Sequence, residues 1–503
     1  MHMKAIKKVR ISTEAFSPRQ KTNFLPSWLN KHVLLILTLA ILSFQSSEAQ
    51  RAKYVFYFIG DGMGVNQVNG AETYLAALDG RIGTTPLLFP SFPYVGLITT
   101  QSADHGITDS AAAGTALAGG KKTYNGAIGL MEDRKTPIIS IAQKAKEHGA
   151  AVGVTTNVTV DHATPAVFYA HAENRNMYYE IGKQLAPSGF DFFAGSDFMS
   201  PTGENEPEGT PDLYQQTTEA GYTIVRGYDE YLAKCNKADK MVLFQPKADS
   251  EEYVQNIPYK VEQQPGNLSL QQITRAAIDF LSKKQKQKKG FFVMIEGGMI
   301  DKACHANDAA SYIHELIDMD SCVRIAYDFY LKHPKETLIV ITADHETGGL
   351  SLGRGGYQLN LDKLRGQKIS VGRFSRDLKR TLKAINPNEF TWEYARNLLR
   401  KNFGIWDVIE PKASDIESIR AAYDKLAAAL VSGDSKLSNE INDFTYAAAH
   451  TCDRASGIGW QSGSHSNGYV GVYAIGAGAD QFTGRFDNTQ IPLRIMKAAG
   501  WDK

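Results

Sequence analysis

Cysteine is scarce in this 503-residue chain: four residues, Cys235, Cys304, Cys322 and Cys452, and no CxxC pair. That scarcity excludes a disulfide-dense scaffold, and the missing CxxC removes the usual signal for a dithiol or cysteine-held zinc site. Four cysteines allow three pairings, among which sequence does not choose. Charge of one sign is lacking as well, the formal net charge being +1. Seven Lys/Arg against two Asp/Glu in residues 1–49 give that segment +5, which leaves the remainder near −4 of the +1 total. Such a balance offers nothing to nucleic acid or to an anionic membrane. The run Lys283, Lys284, Lys286, Lys288, Lys289 reads as a solvated helix end. No apolar run approaches the roughly 20 residues that span a bilayer, and there is no internal repeat.

The first fifty residues differ from the rest. Lys4, Lys7, Lys8, Arg10, Arg19, Lys21 and Lys31 precede the apolar run Val33–Leu42, and Ser47 and Ala49 supply small residues for a cleavage site. A basic head, a short apolar stretch and a small-residue exit predict a secretory signal over residues 1–49. The mature chain would then begin at Gln50, in the periplasm or outside the cell.

Beyond it, dense apolar runs recur at Tyr54–Ile59, Val95–Thr100, Ala150–Thr155, Phe291–Ile295, Thr337–Thr342 and Gly468–Ile475. Helix-like stretches lie between them, at Ser110–Ala118, Pro137–His148, Asn267–Lys283 and Ala309–Tyr330. Continuous apolar strands alternating with helices predict an α/β fold, a large mostly parallel sheet with helices on both faces. Residues 353–457 read differently: rich in Lys and Arg, helical in period and without strand runs. They form a helical insertion, a lid or crown, within a single catalytic domain spanning residues 50–503. Ser200–Asp212, rich in Gly, Pro and Glu, reads as a surface loop.

Ligands in such sheets sit beyond the carboxyl ends of strands, and the chemically able residues fall there. Asp61 follows the first run, Ser110 the second after a loop, Glu296 and Asp301 the fourth, and Asp344 and His345 the fifth; His465 lies in a Gly/Ser loop. With His305, four residues after Asp301 and on the same side of a helical turn, they make a metal-ligand inventory. Imidazole mixed with carboxylate suits zinc, and oxygen-only sets suit magnesium. An isolated Asp-His pair is ordinarily a surface pair; several at strand ends are not. Ser110 stands where a polar loop becomes a small-residue helix. A serine there caps the helix. It also places a hydroxyl where helix N–H groups favour phosphate, and a nearby metal could activate it.

Five segments together resemble the alkaline phosphatases: Gly60-Asp61-Gly62-Met63-Gly64, Thr108-Asp109-Ser110-Ala111-Ala112, Lys122-Thr123-Tyr124-Asn125-Gly126, Glu296-Gly297 with Asp301-Lys302 and His305-Ala306, and Thr342-Ala343-Asp344-His345-Glu346. The resemblance runs from about Tyr54 to the C-terminus and is weakest across the insertion. It implies a phosphate-monoester hydrolase with two zinc ions and one magnesium ion, acting through a phosphoserine at Ser110. By the same resemblance Asp301, His305 and His465 bind the first zinc, and Asp61, Asp344 and His345 the second. Asp61, Thr164 and Glu296 bind the magnesium. Arg175 clamps phosphate, Asp109 orients it, and Lys302 keeps the lysine of bacterial members. The family is commonly dimeric, so a homodimer is expected. His162 departs from the best-known bacterial pattern, which has an acid before Ala163-Thr164-Pro165; it is expected behind the third metal, whose identity as magnesium or zinc stays open. His171 is expected to be structural.

Rival readings have weaker support. A sulfatase would carry a Cys/Ser-x-Pro-x-Arg signature, absent around Ser110. A phosphodiesterase commonly uses threonine and lacks the arginine clamp. A non-catalytic metal- or phosphate-binding protein would not need Ser110 at a helix start.

Overall fold

The computed structural model describes residues 51–502 apart from 204–205, 208, 248–255, 285–287 and 434. The expected signal segment, residues 1–49, therefore lies outside the described residues. Fourteen strands follow in chain order: β1 Tyr54–Gly60, β2 Tyr94–Thr99, β3 Ala151–Thr156, β4 Phe192–Gly195, β5 Tyr222–Arg226, β6 Lys240–Phe244, β7 Phe291–Gly297, β8 Thr337–Thr342, β9 Glu346–Thr347, β10 Ser351–Leu352, β11 Ile458–Gly459, β12 His465–Ser466, β13 Val470–Gly476 and β14 Gly484–Asp487. Ten of them make one sheet in the order β14-β2-β13-β8-β1-β7-β3-β4-β6-β5. β13 runs antiparallel to both its neighbours, and the other pairings are parallel.

β1, β3, β7 and β8 are buried along their whole length, which is why they read as unbroken apolar runs: helices cover both faces. Tyr54, Phe56 and Phe291 meet Phe329 of the helix Ala309–Tyr330 at ring-centroid distances of 5.0, 5.4 and 5.4 Å. Truncating buried Phe56 or Phe291 to alanine should cost about 3–5 kcal/mol.

Register decides where the chemistry collects. Gly60 pairs with Gly297, Ile59 with Thr342 and Thr156 with Glu296, so β1, β7, β8 and β3 end level with one another. Asp61, Glu296 and Asp344 thus emerge along one edge. Because β13 is antiparallel, its first residue, Val470, sits beside Ile98 at that same edge. His465, just before it, is delivered there from the other chain direction.

β10 and β11 pair antiparallel, Ser351 with Gly459 and Leu352 with Ile458, so residues 353–457 leave and return through one neck. Between lie the helices Val371–Ala384, Trp392–Phe403, Ala413–Ser432 and Leu437–Ser456. Val371, Phe374, Leu378 and Leu382 bury one stripe of the first. Asp308, capping the helix Ala309–Tyr330 through Ser311 N, also accepts from Val371 N and Gln367 Nε2, which docks the insertion.

Some expectations shift. Pro137 lies in a bridge opposite Leu130, and the helix begins after Ser140, whose side chain and Gln143 form a capping box. All four cysteines are buried free thiols. Among the described residues no helix is long and apolar enough to cross a membrane.

Candidate active site and metal centre

The helix Met299–His305 starts directly after β7 and turns Asp301 and His305 toward the loop that carries His465. His305 Nδ1 lies 2.7 Å from Gly463 O, and His465 Nδ1 lies 2.8 Å from Thr108 O. A carbonyl only accepts, so each Nδ1 carries the hydrogen and each Nε2 presents its lone pair. Those two Nε2 atoms are 3.1 Å apart. Asp301 Oδ2 is 3.2 Å from His305 Nε2, and Asp301 Oδ1 is 3.7 Å from His465 Nε2. Two imidazole nitrogens and a carboxylate at such distances could share a cation.

Next to this group, His345 Nε2 lies 3.2 Å from Asp344 Oδ2, 3.4 Å from Asp61 Oδ1 and 3.2 Å from Ser110 Oγ. The His345 ring is also set by its far nitrogen. Thr347 Oγ1 donates its single hydrogen to Asp301 Oδ1 at 2.5 Å, and so it accepts from His345 Nδ1 at 3.1 Å. One hydroxyl thereby fixes the tautomer of one group's imidazole and the carboxylate of the other. Gly62, at φ 71°, donates its N–H to Asp344 Oδ1; a Cβ here would lie 2.9 Å from the Asp301 backbone and from Thr347 Oγ1.

A third set gathers Asp61, His162 and Glu296, whose donor atoms lie within 4.8 Å of one another. Thr164 Oγ1 donates to Asp61 Oδ2 at 3.3 Å, and Thr156 donates to Glu296 Oε2. His162 was expected behind the third metal; the structure brings its ring among the candidate donors instead.

Asp61 Oδ1, Asp344 Oδ2, Glu296 Oε1 and His162 Nδ1 are buried without a hydrogen-bond partner. Burial, reinforced by the neighbouring carboxylates, pushes the Asp61 carboxyl well above its usual range and Asp344 to about 8. Burial also takes Glu296 to about 7. It drives His162 well below its ordinary value, aided by the charges of Lys302 and Arg175, and His345 likewise, aided by His465. Acids that would otherwise hold protons, set against imidazoles that will not take them, fit divalent cations in the second and third places. In the first, despite burial, His305 and its neighbours hold Asp301 well below the usual carboxylate range, and Asp301 raises His305 in turn.

Ser110 begins the helix Ser110–Gly119, whose first N–H groups have no partner within the helix. Asp109 caps it, its Oδ1 accepting from Ala112 N at 3.0 Å and Gly126 N at 3.1 Å. Asp109 Oδ2 receives Arg175 Nη1 at 3.1 Å, and Arg175 Nη2 lies 3.5 Å from His162 Nε2. The arginine is thus aimed past the third donor set, with Lys302 contributing a second positive charge beside His162 and Glu296. His171, bonded to Gly129 O, and half-exposed His450 lie outside the site.

Sequence reasoning missed Thr347 and Thr156. Thr347 alone carried a signal, two residues after His345 in the same segment.

Buried carboxylates and imidazoles around a serine at a helix start, on a mostly parallel ten-stranded sheet, define a metal-dependent phosphatase. The chain belongs to the alkaline phosphatase family, whose sequence pattern it matches over residues 52–189 and 201–501. It is 32% identical over 449 residues to alkaline phosphatase 3 of Bacillus subtilis, covering 89% of this chain and 88% of that one. Among solved structures, the Thermus thermophilus alkaline phosphatase matches with TM-score 0.72 and 25% identity, over 92% of this chain and 95% of that one. A variant of the alkaline phosphatase from the Antarctic bacterium TAB5, with a histidine replaced by glutamate and Mg bound in its M3 site, matches with TM-score 0.60 and 25% identity, over 91% and 100%. The family is one of phosphomonoesterases, and this chain is a metal-dependent phosphate-monoester hydrolase.

Proposed function

We propose that hydrolysis proceeds through a phosphoserine at Ser110. The carrying observation is the position of Ser110 Oγ, at a helix start and 3.2 Å from His345 Nε2, amid buried acids that each leave one oxygen without a hydrogen-bond partner. The helix N–H groups and the Arg175 fork, held by Asp109, grip the phosphate oxygens as charge builds on them. Ser110 Oγ forms a bond to phosphorus while the ester P–O bond breaks and the alcohol departs. Water then splits the phosphoserine, restoring the hydroxyl and releasing inorganic phosphate. Asp301, His305 and His465 would hold one zinc ion; Asp61, Asp344 and His345 would hold a second; Asp61, His162, Thr164 and Glu296 would hold a third ion, magnesium or zinc. When bound, these ions supply Lewis acidity and lower the pKa of hydroxyl groups beside them. Two displacements at phosphorus should transfer a chiral phosphate from ester to acceptor alcohol with retention of configuration. Inversion would mean direct attack by the acceptor and no intermediate.

The imidazole of His162 suits zinc better than magnesium at the third place, and replacement of a histidine in the TAB5 relative accompanies bound Mg there. The reading extends to export, with cleavage before Gln50, and to a homodimer in which residues 353–457 tune substrate access or the dimer contact. N-terminal sequencing of secreted protein and light scattering of the purified chain test these two points.

A further inference from the structure

Asn157 follows the last residue of β3 and takes no part in the donor sets, yet it is buried. Its Oδ1 accepts from Gly298 N at 2.8 Å and from Met299 N at 3.2 Å. Those amides open the helix Met299–His305, whose own cap position, Gly298, has no side chain to offer. Asn157 therefore caps from another strand the helix that carries Asp301, Lys302 and His305. Its neighbour Thr156 donates to Glu296 on the other side of the same turn. Two consecutive residues of β3 and its exit thus grip both flanks of the Glu296–Asp301 turn.

The carboxamide has only one orientation that works. Oδ1 must face the two amides, so Nδ2 faces Glu315 Oε2, 3.3 Å away on the helix Ala309–Tyr330. Glu315 is itself fixed, its Oε1 accepting from Lys260 N at 2.5 Å. The contacts form one line: Lys260 backbone, Glu315, Asn157, then the amides of Gly298 and Met299. A group that sets the direction of a ligand-bearing element controls how well the ligands converge.

We propose that Asn157, oriented by Glu315, is a positioning residue of the metal centre: its bonds to Gly298 and Met299 hold Asp301 and His305 in register with Glu296. This rests on the metal reading of the site given above. It touches neither substrate nor ion and acts only through the helix it caps.

The polarity of the line gives the test. Burial raises the Glu315 carboxyl to about 8, so the variants are compared above that pH. There Asn157→Asp keeps the acceptor toward the amides but sets a second carboxylate against Glu315. Glu315→Gln sets two amide NH₂ groups face to face. The double variant N157D/E315Q restores a donor opposite an acceptor at every step: the new carboxamide at position 315 donates from its nitrogen, while its oxygen still accepts from Lys260 N. Zinc-loaded proteins are held with a chelator well below their unfolding temperature, and loss of zinc is followed by a colour indicator. Each single variant should lose zinc about 10-fold faster or more, within the 10–100-fold range of outer-group substitutions. The double variant should return to within about threefold of the parent, with kcat recovering in parallel and KM little changed throughout. If the single variants fold too poorly to assay, recovery of folding and zinc retention in the double variant carries the same meaning. Single variants that retain zinc like the parent, or a double variant no better than the singles, would overturn the positioning role. Parent protein that takes up no zinc at all would overturn the metal reading and this proposal with it.

Discussion

Thr347 makes two contacts that matter more than its size suggests. Its hydroxyl spends its hydrogen on Asp301 and so obliges His345 to present Nε2 toward Ser110. Thr347→Val, equal in shape but without the hydroxyl, should weaken zinc binding about 10–100-fold while leaving the metal-free chain folded, as competitive titration would reveal; unchanged affinity would mean that the His345 tautomer is set elsewhere. In the proposed route Arg175 acts directly on substrate. Arg175→Ala should lower kcat/KM for an aryl monoester by about 100-fold or more and relieve inhibition by inorganic phosphate. A diester with the same leaving group, having fewer charged oxygens, should lose much less; equal losses on both esters count against the monoester assignment. His162→Asp replaces an imidazole with the hard oxygen that magnesium prefers. The magnesium concentration that half-restores a metal-depleted preparation should fall, and an unmoved midpoint would leave His162 as packing beside Thr164. At this scale the candidate donors were legible in the sequence because several Asp, Glu and His residues stand together at strand ends. Thr347, Thr156 and Asn157 were not legible, since threonine and asparagine are common and their roles depend on partners up to 158 residues away.

Among the elements, the long buried strands announced themselves through unbroken apolar runs. β4, with four residues, and β5 and β6, with Arg226 and Lys240 at their ends, did not. Strands that short carry too few residues for a period to emerge, and their place is decided by pairing with strands already laid down. The helical insertion was visible as a change in composition, but its docking through Asp308 was not. The last insertion helix, Leu437–Ser456, also reaches the site's rim. Asp453 accepts from Trp460 Nε1 at 3.2 Å, and the indole packs against Gly348 beside the His345 turn. Burial pushes the Asp453 carboxyl up to about 6, against the opposing pull of His450. A buried acid raised in this way favours the fold while protonated, and that contribution is lost as pH climbs from about 4 through about 6. Asp453→Asn should therefore raise stability by about 1–3 kcal/mol above pH 7 and by little below pH 4. Urea unfolding at several pH values measures it, and a gain equal at all pH values would contradict the titration.

For the whole molecule, the sheet's strand order performs the assembly that sequence could only suggest. β1, β7, β8 and β3 lie side by side and end level, while antiparallel β13 brings His465 back to the same edge. Asp61 and His465, from opposite ends of the catalytic domain, are thereby placed in adjoining donor groups. The order of the strands could not be read from the runs themselves, because pairing partners leave no mark on individual strands. The proposed route converges on Ser110, and trapping the covalent state it predicts examines that most directly. Metal-loaded enzyme mixed with an aryl phosphate and quenched in acid within milliseconds should yield one phosphorylated peptide, the one containing Ser110, in amounts approaching the enzyme present when the pH is low enough to slow its hydrolysis. Ser110→Ala should give no phosphopeptide and almost no turnover while keeping its metal. A Ser110→Ala enzyme that still hydrolyses monoesters at the parent's rate, or a parent that turns over without phosphorylating Ser110, would contradict the phosphoserine route.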